Sequence, residues 1–250
     1  MAKSARVTPT DPIPTRRKVG PSSLPVWIKP QLAKLVDEAP DGLDWLHELK
    51  LDGYRMHARL DAGRVQILTR RANDWTEKYP VIAKAVAGLP AQNAYLDGEL
   101  CWVLPDGRTA FNLIQNATDT GKGSLVFFLF DLLFLDGENL TALPLVDPKA
   151  RLASLLKDAA DSLRYNDHQI GQGHEFHRLA CQHGLEGLVS KHINSRYEPD
   201  RRTWLKVKCL NRGRICRYCP SRYRRHAVRV SAHRSCFHEC IGCARRWSWK

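Results

Sequence analysis

The chain has 250 residues, with 39 Lys+Arg against 26 Asp+Glu and a formal net charge of +13. Its apolar fraction of 43% and charged fraction of 26% are those of a globular protein with ample chain to bury a core. No apolar run approaches the ~18 residues a membrane-spanning helix needs, and the basic, proline-bearing N-terminal stretch is unlike a secretory signal, so a cytoplasmic protein is expected.

Residues 1–23 are rich in Pro, Ser, Thr and basic side chains and are expected to form a disordered arm. From Leu46 to Leu60 the pattern alternates as strand. Asp61-Ala62-Gly63 reads as a turn, with Val65 to Thr69 returning as the second strand of a hairpin. Pro80 to Leu89 is a short helix started by proline. Ala94 to Leu104 is strand-like. Leu125 to Leu135 is an almost unbroken apolar run, the pattern of a strand buried on both faces. Lys149 to Lys157 and Glu175 to His183 are amphipathic helices, the second closed by Gly184. Leu188 to His192 and Thr203 to Leu210 are strands. Hairpins with interspersed helices predict an α+β domain over 24–211. Residues 212–250 then change character. They hold ten Arg, one Lys and one Glu, +10 of the chain's +13, and five of its eight cysteines.

The chemistry concentrates at Trp45 to Arg59. At period two, Glu48, Lys50 and Asp52 share one strand face, and Leu49 and Leu51 the other. Alone, this is equally a solvated charged patch. Three neighbours argue for a site. Gly53 permits a ligand or another strand to approach the backbone. Arg55 offers a cation for phosphate or ribose oxygens. The apolar setting of Trp45, Leu46, Leu49 and Leu51 would desolvate Lys50, lower its pKa and free its amine as a nucleophile. Further on, Asp131 is a single carboxylate inside an apolar strand and needs a partner. Lys206 and Lys208 share a strand face, where like charges repel unless an anion bridges them.

Glu48-Leu49-Lys50-Leu51-Asp52-Gly53-Tyr54-Arg55 resembles E-x-K-x-D-G-x-R, the first motif of the covalent nucleotidyltransferases. That superfamily includes ATP-dependent DNA ligases, RNA ligases and mRNA capping enzymes. K-x-D-G recurs by chance, so the order of later motifs matters. Leu96-Asp97-Gly98-Glu99, otherwise readable as an Asp-Gly hairpin turn, resembles the motif whose Glu contacts ribose. Phe128 to Gly137 resembles the motif whose aromatic stacks on the purine, which places that role on Phe130. Glu186-Gly187-Leu188-Val189-Ser190-Lys191 resembles the motif whose Glu serves the divalent metal. Trp204-Leu205-Lys206-Val207-Lys208 resembles the fifth. Trp45 to Glu48, Leu68-Thr69-Arg70, Asp74-Trp75-Thr76 and Leu185 to Lys191 are similar to the bacterial end-joining ligases of the ligase D type. The match departs at Arg71-Ala72-Asn73, where that family usually has Asn-Gly after the Arg.

The resemblance implies an ATP-grasp-like adenylation domain of antiparallel sheets flanked by helices. It implies Lys50 as the catalytic nucleophile toward ATP. Glu48, Arg55, Arg70, Glu99, Phe130, Lys206 and Lys208 would hold the nucleotide, and Glu186 would serve Mg²⁺. The implied partners are nicked or broken double-stranded DNA and a Ku-like end-binding protein. An RNA ligase or capping enzyme, and a non-catalytic DNA-binding relic, are the alternatives. In the family an OB-fold domain with a sixth basic motif follows. Here the match ends at Cys209-Leu210-Asn211-Arg212, so a chain without an OB fold and impaired in full sealing is expected. For the tail, Cys216-x₂-Cys219 and Cys240-x₂-Cys243 have four-thiolate zinc spacing. Abrupt Arg, Cys, His and Trp richness without periodicity favours out-of-frame translation instead. Disulfides are not expected in a cytoplasmic protein.

Overall fold

The apolar patterning resolves into strands that pair across long sequence distances. The structure is a computed structural model that describes residues 23–114 and 123–209. The expected arm through residue 22, and the expected tail with its candidate zinc cysteines and missing OB fold, lie outside the described residues. In chain order the elements are β1 (Ala33–Leu35), β2 (Trp45–Leu49), β3 (Tyr54–Asp61), β4 (Arg64–Thr69), α1 (Pro80–Ala87), β5 (Asn93–Val103), α2 (Phe111–Ile114), β6 (Ser124–Leu135), β7 (Glu138–Asn139), α3 (Val146–Leu155), β8 (Leu163–Tyr165), β9 (His168–Ile170), α4 (Gly173–Gln182), β10 (Gly187–His192) and β11 (Trp204–Lys208). The fold is α+β, as expected.

Two sheets form. The first runs β1-β11-β10-β2-β9, and the second β4-β3-β5-β6-β7 with β8 also on β6. Most pairs are antiparallel; β1 with β11 and β6 with β8 are parallel. The 3-residue strands β1, β8 and β9 carried too little pattern to be read from sequence.

The principal core lies on the second sheet. Leu60 and Ile67 from the hairpin, Leu96 and Leu129 from the long strands, Ile82 and Val86 from α1 and Leu152 from α3 are fully or nearly fully buried together. Each such side chain stabilises the fold by about 1.5–3 kcal/mol. Pro80 opens α1, where its missing N–H costs nothing, and Ile82 and Val86 stand one turn apart on the buried face. The hairpin turns on Ala62 and Gly63, both at positive φ, as a two-residue turn between twisted strands requires. β6 is buried over most of its length on both faces, as its apolar run predicts. Asp97-Gly98 makes no turn; both lie inside β5, paired with β3 and β6.

Three expectations are corrected. The alternation from Leu46 to Leu60 is not continuous. β2 ends at Leu49 and β3 begins at Tyr54 in the other sheet. Glu48, Lys50 and Asp52 therefore do not share a strand face: Glu48 is buried, Lys50 is half-buried in the connection and Asp52 is exposed. The connection crosses between sheets because Gly53 presses on β5. A Cβ there would stand 2.3 Å from the Leu100 carbonyl oxygen, so only glycine fits. Third, a disulfide joins Cys181 at the end of α4 to Cys209 just past β11. The compartment argument against disulfides says nothing about geometry, and the fold places these two Cα atoms 5.2 Å apart. At the departure from the ligase D pattern, Ala72 occupies the left-handed region at φ 63, a conformation glycine adopts more cheaply. Among the described residues, no helix is long and apolar enough to cross a membrane.

Candidate active site

A cavity of about 270 Å³ opens between the two sheets, lined in part by Lys50, Arg55, Arg70, Glu99, Phe130 and Lys206. With Glu48 from β2, which also lines it, seven of the nine predicted site residues converge here, the others coming from β3, the loop after β4, β5, β6, β11 and the β2–β3 connection. Glu186 and Lys208 stand beside it.

Lys50 is held at the mouth by its backbone and its amine. Its N–H donates to the Gly187 carbonyl at 2.8 Å, which ties the β2–β3 connection to the start of β10. Its Nζ lies 2.6 Å from Glu186 Oε1, with both side chains partly exposed. The expected apolar surround is therefore incomplete, because the nearest charged group is a carboxylate. Lys208 Nζ reaches the same Glu186 oxygen at 3.7 Å. Glu186 Oε2 is buried with no hydrogen-bond partner. An unpaired buried carboxylate oxygen is costly, and a hard divalent cation would satisfy it.

Behind Lys50 lies a sealed charge network. Glu48 is 2% exposed and receives Lys149 Nζ at 2.6 Å and Lys191 Nζ at 3.0 Å. Burial works to raise its carboxyl, but the two ammonium groups prevail and hold it below the usual carboxylate range. Lys191 also reaches Asp131 Oδ2 at 3.1 Å, which supplies the partner that carboxylate needed. For Asp131, burial outweighs Lys191 and the carboxyl is pushed up. Lys149 spends its remaining donors on the Phe130 and Asn166 carbonyls, both at 3.4 Å.

A second network fixes Arg55. Its guanidinium grips Asp97 at two points, Nε to Oδ1 at 2.9 Å and an Nη to Oδ2 at 2.6 Å. Tyr197 donates to Oδ2 at 2.7 Å, and His57 Nε2 lies 3.2 Å from Oδ1. Burial opposes ionisation of Asp97, yet Arg55 and the His57 ring hold its carboxyl far below the usual range. The Arg55 guanidinium sits 5.0 Å from the centres of both the Phe130 and Trp204 rings. Lys191 lies over the same two rings, at 4.6 and 4.0 Å. Phe130 packs at a near-right angle to Trp204 and lines the cavity.

The remaining walls are electrostatically opposed. Burial pushes Glu99 up to about 7, against the pull of Arg55 and Lys50. Lys206 is shifted down, first by desolvation and then by Lys50, Lys208 and Arg202. Such cations gathered with few counter-charges await an anion.

The sequence alone points to no role for Lys149, Arg202 or Asn166, and assigns none to Lys191 or Trp204, although all five stand at or behind the cavity. One signal was available. Lys149, Leu152 and Leu155 fall at helical spacing on one buried stripe of α3, so a lysine stood where the pattern called for an apolar residue. Arg202 precedes β11 in a loop that carries no periodicity.

Comparison with known proteins agrees with this geometry. The family model for the ATP dependent DNA ligase domain matches residues 30–208. The multifunctional non-homologous end joining protein LigD of Pseudomonas aeruginosa PAO1 is 42% identical over 193 residues, which cover 76% of this chain and 23% of that protein. The SPbeta prophage-derived DNA ligase-like protein LigB of Bacillus subtilis is 30% identical over 186 residues, 73% of this chain and 67% of its own. A solved mycobacterial DNA ligase D complexed with ATP and MES superposes with a TM-score of 0.63 at 31% identity, covering 72% of this chain and 60% of that one. The chain spans about a quarter of the length of the LigD relatives it matches. With the family model covering well over half of its residues, this chain belongs to the ATP-dependent DNA ligase domain family.

Proposed function

We propose that this chain carries the nucleotide-activating chemistry of a DNA ligase. Lys50 Nζ attacks the α-phosphorus of ATP, an N–P bond forms, the bond to the β-phosphate oxygen breaks, and pyrophosphate leaves. AMP then passes from Lys50 to a DNA 5′-phosphate, and a 3′-hydroxyl displaces it to close the strand. The observation that carries the reading is the placement of Lys50 at the mouth of a cavity with Glu186 Oε1 at 2.6 Å and Lys206 on the wall.

The roles follow from position. Glu186 accepts the proton that the amine must lose before it attacks. Phe130, held by Trp204, offers a flat face to a purine. Glu99 faces the ribose hydroxyls. Arg55, Arg70, Lys206 and Lys208 neutralise phosphate charge as it moves to the leaving group. Glu48 sets the floor beneath the nucleophile. Mg²⁺ fits the unpartnered Glu186 Oε2, and when bound it supplies Lewis-acid neutralisation of phosphate oxygens. The substrate is nicked or broken duplex DNA, gripped through its phosphates, in cytoplasmic double-strand break repair with a Ku-like end-binding partner. The LigD relatives, named for non-homologous end joining, support that context.

The test is the intact mass of the full chain after incubation with ATP and Mg²⁺. A gain of one AMP, absent from Lys50→Ala, is expected. A folded chain that gains no mass, or a Lys50→Ala variant that gains as much, overturns the reading.

A further inference from the structure

Apart from the cavity, one group of metal-ligating side chains comes together among the described residues. The ligand atoms of His177, Cys181 and Cys209 all lie within 4.8 Å of one another. His177 and Cys181 are one turn apart on α4 and share a face. Cys209 arrives from 28 residues away, just past β11.

Backbone contacts fix this meeting. The Cys209 N–H donates to the Glu186 carbonyl at 2.9 Å, and the Leu185 N–H donates to the Ala180 carbonyl at 3.0 Å. Gly187 pairs with Lys208. It does so at φ +146, and a Cβ there would meet the Val207 carbonyl oxygen at 2.0 Å. The end of α4, the start of β10 and the end of β11 are thus locked in register, and the two sulfurs meet by construction of the fold.

The imidazole is the third member. His177 Nε2 lies 3.3 Å from Cys181 Sγ and 3.8 Å from Cys209 Sγ. A tetrahedral zinc site has Zn–S near 2.3 Å and Zn–N near 2.0–2.1 Å, which sets its N···S edge at about 3.6 Å. The ring already stands at that distance from both sulfurs. None of the three side chains has a part in the adenylation chemistry, and all three are only partly buried, so a cation has access.

We infer that His177, Cys181 and Cys209 form a redox-gated site for a thiophilic divalent cation of the zinc class. In the disulfide form the sulfurs are not thiolates and the site is closed. A dithiol reductant opens it: two electrons pass to the S–S bond, which breaks, two thiols form, and the reductant leaves as its own disulfide. Metal uptake then releases the two thiol protons as two metal–sulfur bonds form, with His177 as third ligand and water as fourth. The backbone bond from Cys209 to Glu186 connects this site to the segment that carries Glu186 and Lys208.

The test uses the full 250-residue chain with Cys216, Cys219, Cys236, Cys240 and Cys243 replaced by Ser, so that tail thiols do not compete. The chain is reduced with a dithiol, desalted under nitrogen and titrated with Co²⁺. One equivalent is expected to bind, with thiolate-to-cobalt charge-transfer bands in the near ultraviolet and tetrahedral ligand-field bands in the visible, both displaced by Zn²⁺. The same chain in its disulfide form is expected to show neither. Cys181→Ser and Cys209→Ser should lose the charge-transfer intensity, and His177→Ala should shift the ligand-field bands. A reduced chain with the near-ultraviolet dichroism of the oxidised one and no cobalt bands overturns the inference. So do bands that persist undiminished in Cys181→Ser. The oxidised-against-reduced comparison needs no substitution at the site, so a misfolded variant does not blunt the test.

Discussion

Lys50 Nζ and Glu186 Oε1 lie 2.6 Å apart, which pairs the proposed nucleophile with the carboxylate that the motif resemblance assigns to the metal. The two roles compete for one side chain. Glu186 keeps Oε1 on the amine while Oε2 is buried without a partner, so one carboxylate stands between the amine and a cation. Glu186→Gln keeps the shape and removes the charge. It is expected to raise the Mg²⁺ concentration for half-maximal self-adenylation about tenfold or more. Titrating Mg²⁺ against the fraction of chain carrying AMP, read by mass, checks this. An unchanged midpoint would place the metal elsewhere.

Glu99 gives a pH signature. Its carboxyl is raised to about 7 by burial, so the folded chain binds this proton more tightly than the unfolded chain does. Between the ordinary carboxylate range and about 7, stability from this group therefore falls as pH rises, and the cost is complete above 7. Glu99→Gln is neutral throughout. It should be more stable than the parent by about 1–3 kcal/mol at pH 8, with the difference closing toward pH ~5. Thermal melts at the two pH values test this, and an equal difference at both would contradict it. Self-adenylation should fall in the same variant.

The buried Glu48–Lys149 contact is a different case, because removing one charge strands the other. Lys149→Met leaves Glu48 with Lys191 alone, a ligand that Asp131 already shares. The variant is expected to lose about 3 kcal/mol or more in urea denaturation. Glu48→Gln combined with Lys149→Met should recover part of that loss. A double variant as unstable as the sum of its singles would show that the pair is not coupled.

Phe130 is testable through nucleotide concentration. Stacking of a base on an aromatic ring is worth about 1–3 kcal/mol, so Phe130→Ala should raise the ATP needed for half-maximal adenylation roughly tenfold or more. Phe130→Tyr should retain most of the parent's affinity. Because Phe130 also packs on Trp204, urea denaturation must accompany the titration. A stability loss with unchanged ATP dependence would leave Phe130 a packing residue only.

How far the sequence carries can be seen residue by residue. Strong periods and turn chemistry determined the β3–β4 hairpin, the proline-started α1 and the buried β6, because local sterics and solvent exposure impose those patterns whatever surrounds them. Motif order determined the family and brought Lys50, Arg55, Glu99, Phe130 and Lys206 forward as a set. Tertiary structure alone decided what each meets. Glu48 and Lys50 are two residues apart, yet one is buried on Lys149 and the other lies at the cavity mouth, because β2 ends at Leu49 and the chain leaves the sheet there. Asp131 advertised its need for a counter-charge, but Lys191 could supply it only once β10 and β6 were packed face to side chain across 60 residues. Cys181 and Cys209 carried no spacing signal at all. Their meeting rests on the β10–β11 register, and a long-range register is a property of the folded sheet that no local window of residues contains.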